Sequence, residues 1–189
     1  MKYDPNRHHR KSIRLQGYDY SSPGAYFITM CTHQRAMLFG NVVDGVMVLN
    51  DAGEMVVKWI NELENKFPNA KIDQYVCMPN HVHFILIITQ TPVGADLRVC
   101  PDKRNYAPPR GGHTGPPLHQ IVQWLKTMTT NEYIRNVKHN GWPSFYGKLW
   151  QRNYHDHIIR NERALYAIRN YIINNPLKWD CDRYYENDK

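Results

Sequence analysis

Cysteine is scarce in this 189-residue chain, and the four present (Cys31, Cys77, Cys100 and Cys181) are too scattered for a C-x-x-C pair. That argues against a zinc knuckle or a disulfide framework and fits a reducing compartment. Long apolar runs are also missing. The longest, Phe84 to Ile88, is far too short to cross a bilayer, so no membrane partner is expected. The basic stretch from Met1 to Arg14 leads into no apolar segment, which speaks against a signal peptide and for a cytoplasmic protein. Acid is in deficit: 17 Asp and Glu face 24 Lys and Arg, a formal net charge of +7. Such a balance favours a polyanionic partner, nucleic acid foremost, although a merely soluble basic protein has the same composition. Aromatics are plentiful, with 13 Tyr and 5 Trp, and serve equally as core material or as stacking faces beside a phosphate track.

The length suits one domain. Residues 1–22 read as a basic arm carrying Arg7, Arg10, Lys11 and Arg14. Ala25 to Thr32 reads as a core strand, and Val42 to Leu49 as a hairpin around Asp44-Gly45. Asp51 to Phe67 has apolar residues at helical period, with Asp51 and Glu54 at capping-box spacing. Lys71–Met78 and His81–Thr89 read as two antiparallel strands joined tightly at Pro79-Asn80. Residues 91–117, rich in Pro, Gly and Arg, form a long irregular loop with no assigned role. Helical periodicity resumes from Leu118 to about Lys138. Tyr154 to Ile159 is a strand, Asn161 caps a helix over roughly 162–174, and 177–189 is a polar tail with some aromatics. The order βαββαβα predicts an α+β, ferredoxin-like sandwich with a mainly antiparallel sheet and helices on one face.

Chemistry concentrates in Met78-Pro79-Asn80-His81-Val82-His83-Phe84. His81 and His83 are two apart on a strand, so both imidazoles face one way, with α-carbons about 6.6 Å apart. They are either a converging metal pair or a hydrogen-bonded pair of core histidines. On the last helix Tyr171 and Asn175 are four apart and share a face. Without further support, Tyr171 is equally a core-edge residue, and Asn175, just before Pro176, a helix-end residue. Tyr154, amid His155, Asp156 and His157, is an alternative nucleophile, but on a strand it faces away from both of those histidines.

A His-x-His strand followed by Tyr-x-x-x-Asn on a helix resembles the single-tyrosine HUH transposases. MPNHVHFILII, YIINNP, LWQRNYHDHIIRNE and YDYSSPGAYFITMCT are similar to the REP-associated tyrosine transposase branch, over about residues 10 to 180. The resemblance implies a catalytic domain over 23–176, His81 and His83 as metal ligands, Asn175 as the third ligand, and Tyr171 as the nucleophile. It also implies Mg²⁺ or Mn²⁺ as cofactor. The substrate would be single-stranded DNA with hairpin or palindromic repeats, cut through a 5′-phosphotyrosine that allows strands to be rejoined. Arg7, Arg10, Arg14, Lys126 and Arg135 are the candidate DNA contacts, on a monomer or a homodimer. Competing readings are a catalytically silent hairpin-binding protein, a replication-initiator-like nuclease, and an RNA-binding protein with a structural histidine pair.

Overall fold

A computed structural model describes residues 18–89 and 117–185. Arg7, Arg10, Arg14, Cys100 and all but the last residue of the 91–117 loop lie outside the described residues. The chain runs through β1 (Gly24–Cys31), β2 (Gly40–Val43), β3 (Val46–Leu49), α1 (Asp51–Lys66), β4 (Ala70–Met78), β5 (His81–Ile88), α2 (Leu118–His139), β6 (His155–Ile159) and α3 (Glu162–Ile173), with 3₁₀ turns at His33–Arg35 and Pro176–Cys181. The main sheet has the order β4-β5-β1-β6, antiparallel throughout, and β2-β3 form a separate hairpin. Without that hairpin the order is the expected βαββαβα, and β1 is parallel to β4 across the intervening β5, the split βαβ arrangement. The hairpin turns at Asp44 and Gly45, both at positive φ, as a two-residue turn requires to match strand twist.

The sheet is covered on both faces, which corrects the one-sided expectation. Tyr26, Ile28 and Met30 of β1 and Val82, Phe84, Leu86 and Ile88 of β5 pack on apolar rows of α1 and α2. The opposite face carries Ile85 and Ile159 against Ile172 of α3, flanked by Phe27, Leu165 and Ile168. Because β5 is apolar on both sides beyond its histidines, each face needs its own helical cover, and α3 supplies the second.

Two boundaries also move. Asn50, not Asp51, caps α1, since its side chain accepts from Gly53 N at 3.0 Å while its amide nitrogen holds Leu38 O at 3.0 Å. Residues 177–185 are no free tail. Trp179 and Tyr184, both buried, pack with Cys31 and Met78 at the start of β5. Two large aromatics in a polar segment have enough apolar area to dock it.

Candidate active site

The strand register assembles the site. Cys31 pairs with His81 and Thr29 with His83, so the histidines open β5 beside β1 on the face that α3 covers. Both imidazoles are fully buried, with ring centroids 4.5 Å apart.

Each Nδ1 is anchored, leaving each Nε2 directed inward. His81 Nδ1 lies 2.8 Å from Asn80 Oδ1. The amide orientation of Asn80 is fixed independently, because its Nδ2 donates to the carbonyls of Tyr184 at 2.8 Å and Arg35 at 3.2 Å. An amide oxygen only accepts, so Nδ1 of His81 must carry the proton and Nε2 presents a bare lone pair. This is the tautomer a metal ligand needs, and the neighbouring Asn80 is what holds it. Asn80→Leu is expected to lower Mn²⁺ affinity roughly 10- to 100-fold, read by calorimetric titration, with β5 retained. His83 Nδ1 is 2.8 Å from Thr29 Oγ1, and its ring stacks on Phe27 with centroids 5.2 Å apart.

The last helix delivers the other partners. The Asn161 side chain caps α3 by accepting from Ala164 N at 2.8 Å. The roll of the helix is held by a bidentate pair, Arg169 Nε to Asp73 Oδ2 at 2.7 Å and Nη2 to Oδ1 at 2.5 Å. Asp73 sits where a bulge between Ile72 and Gln74 interrupts the β4 ladder. Arg169 and Tyr171 flank the buried Ile172 on opposite sides of the helix, so turning α3 about its axis would break the ion pair and withdraw the phenol together. Tyr171 Oη lies 3.2 Å from His83 Nε2, with the ring edge-on to Phe27 and its outer part exposed. Asn175 keeps helical backbone angles despite the following proline, and its side chain is buried. Its Nδ2 donates to Asp182 Oδ2 at 3.1 Å.

Asp182 was not among the sequence candidates. It follows the last 3₁₀ turn, where its Oδ1 also accepts from Tyr184 N at 2.7 Å. Potential ligand atoms of His81, His83 and Asp182 all lie within 4.8 Å of one another. Two buried polar atoms here have no partner, His81 Nε2 and Asn175 Oδ1. Orphaned acceptors are costly to bury, and a shared cation is the ligand both would accept. The donor set of two neutral imidazole nitrogens, a carboxamide oxygen and a carboxylate therefore fits a divalent ion.

Burial pushes the His81 imidazolium down to about 4, opposed by the Asp182 carboxylate, and burial with the neighbouring His81 holds His83 well below its usual range. Tyr171 is pushed up, first by burial and then by the charge of Asp182, so its resting phenol is protonated. A histidine depressed on folding binds its proton more readily when unfolded. Stability of the metal-free protein is therefore expected to be intact above pH 6.5 and to fall as pH drops toward about 4. Urea melts across that window check this, and His81→Gln should flatten the dependence.

Other sequence candidates sit elsewhere. Tyr154 is buried in the core on the α1/α2 side, near Lys126, with the sheet between it and the histidine pair. Its location removes it as a nucleophile for this site. Lys126 corrects a second expectation: it is buried, and its Nζ donates to the carbonyls of Gln151 at 2.8 Å and Asn153 at 3.1 Å. Satisfying those carbonyls turns it away from any DNA phosphate, and burial lowers it to about 8. Arg135 is exposed on α2. His155 and His157 are exposed on the edge strand β6, on the site face beside Thr29 and Phe27.

No family model matches the chain. An uncharacterized protein of Haemophilus influenzae is 37% identical over 184 residues, 97% of each chain. A solved structure of a REP-associated tyrosine transposase bound to a REP hairpin superposes with a TM-score of 0.55 at 17% identity, covering 88% of this chain and 73% of that one. The chain belongs to one family with the Haemophilus influenzae protein, on the fold of a REP-associated tyrosine transposase.

Proposed function

We propose that the chain is a metal-dependent transesterase that cuts single-stranded DNA beside a hairpin or palindromic repeat, with Tyr171 as nucleophile. The observation that carries this reading is the meeting of a phenol, two imidazoles and two orphaned acceptors in one buried corner. A structural histidine pair has no use for unpartnered nitrogen and amide oxygen atoms, whereas a cation site needs both. The basic balance of the chain and a fold neighbour bound to a REP hairpin support a DNA hairpin as partner.

His81, His83 and Asp182, with Asn175 Oδ1 beside them, would hold Mg²⁺ or Mn²⁺. Two imidazoles favour Mn²⁺. Such an ion supplies charge neutralisation for the scissile phosphate. The chain's own groups do the rest. Tyr171 oxygen attacks phosphorus, the bond from phosphorus to the 3′ oxygen breaks, and the phenol proton leaves as the 3′ oxygen gains one. The product is a 5′-phosphotyrosine and a free 3′-hydroxyl, and attack by another 3′-hydroxyl reverses the step without a nucleotide cofactor.

His83 Nε2 has one lone pair, so its hydrogen bond to Tyr171 and metal coordination are alternatives. Ligation of His83 would free the phenol to turn toward substrate. Incubation of the full chain with labelled hairpin oligonucleotide and Mn²⁺ tests the reading. A covalent adduct stable to denaturation is expected; hairpin binding with no adduct under any divalent ion would leave a silent binding protein instead.

A further inference from the structure

Away from the histidine corner, a groove of about 510 Å³ runs between α2 and the segment 145–152. Its size falls in the range of ~300–1,000 Å³ that accepts small-ligand-sized groups, enough for part of a nucleotide chain. The wall from α2 presents Thr127, Thr130 and Asn131, and the opposite wall presents Lys148 and Arg152. None of its lining residues is acidic. Tyr146, beside it in sequence, is among the most exposed aromatics described, at 82%. Cations, neutral donors and an exposed ring, with no carboxylate, match a nucleic-acid backbone and its bases.

The groove is also tied to the site. Lys126 beneath it is 92% buried and organises the far wall through the carbonyls of Gln151, Arg152 and Asn153. Gln151 in turn donates its backbone N to Cys31 O at 2.9 Å and its side chain to Thr32 O at 3.1 Å. Thr32 N donates to Asn80 O at 2.9 Å, in the turn that leads into His81. The segment that carries Lys148 and Arg152 is thus joined by a chain of hydrogen bonds to the strand end and turn that lead into the histidines.

We propose that this groove binds the single-stranded DNA flanking the hairpin, with Lys148 and Arg152 on its phosphates. The proposal rests on the DNA-cleaving reading above, and its test avoids chemistry so that the two can fail separately. The full chain carrying Tyr171→Phe is titrated, across a salt series, with a blunt DNA hairpin and with the same hairpin bearing a single-stranded flank. Lys148→Ala/Arg152→Ala is compared with Lys66→Ala/Lys71→Ala, which removes two exposed cations from α1 and β4. Both groove residues are exposed, so their removal leaves the core intact. The groove variant should lose about tenfold in affinity for the flanked hairpin only. Its slope of log affinity against log salt should shrink by about 1.4, for two single-strand phosphates at ~0.7 each. Equal losses for both hairpins, an equal loss in the control variant, no loss at all, or groove-dependent binding confined to an RNA flank would each overturn the proposal. Flank-dependent loss in a chain whose wild type forms no adduct would keep the groove and sink the activity.

Discussion

Tyr171→Phe is expected to abolish the protein–DNA adduct, a loss on the order of 10⁴ or more in cleavage rate, with hairpin affinity within a few-fold of wild type. The change removes one oxygen and nothing else. The ring keeps its edge contact with Phe27 and its packing over His83. Only the 3.2 Å hydrogen bond to His83 is lost, and the residue is partly exposed, so folding should barely register the change. Loss of a nucleophile removes the covalent step outright, and nearby hydroxyls cannot substitute unless they reach the same phosphate. Tyr184 is the nearest test of that clause, since its ring centroid lies 4.6 Å from that of His81. Adduct mapping by mass spectrometry after proteolysis should find the nucleotide on Tyr171; finding it on Tyr184 would assign the chemistry to the wrong side of the histidines.

His81→Ala should have the second largest effect, removing metal-stimulated cleavage by roughly 10³ or more, since a Lewis acid of this kind supplies several kcal/mol of transition-state stabilisation. The same variant deletes the imidazole that Asn80 orients and Tyr184 covers. A cavity in that place costs stability as well. Metal affinity must therefore be read beside activity, on protein shown to be folded. Asp182→Asn comes closer to separating the two effects: it keeps a side-chain oxygen for Tyr184 N and a near-isosteric shape while removing the negative charge, and a flip of the Asn175 amide would let the new amide donate to Asn175 Oδ1 in place of the bond it loses. A fall in Mn²⁺ affinity with an unchanged melting temperature is the expected pattern for a ligand.

Much of this corner is legible in the sequence, for physical reasons that differ by residue. His81 and His83 announce themselves because a strand's period of two puts them on one face, in a run that is otherwise apolar. Helical spacing puts Tyr171 and Asn175 on one face, the family resemblance is what singles them out, and the structure keeps Asn175 on that face because its backbone stays helical through the Asn-Pro junction. Asp182 is invisible by such reasoning. It lies outside the regular elements, in a stretch with no period, and reaches the site only because Trp179 and Tyr184 dock the segment against the sheet. Those two aromatics were the available signal, since a polar tail has no need of them. Lys126 misleads for the opposite reason. Charge on a helix reads as a solvated or DNA-facing surface, and nothing local reveals three carbonyls of a distant loop waiting beneath it. The cover by α3 is misjudged similarly, because the second apolar face of β5 is shared with its two histidines.

The most direct measurement is anomalous diffraction from crystals of the wild-type chain grown with Mn²⁺. The arrangement of side chains argues for a single strong peak at bonding distance from Nε2 of both His81 and His83, with an oxygen of Asp182 or Asn175 in the same shell and the Tyr171 hydroxyl released from His83. A saturated crystal with no manganese in that corner, and the Tyr171–His83 hydrogen bond still in place, would contradict it.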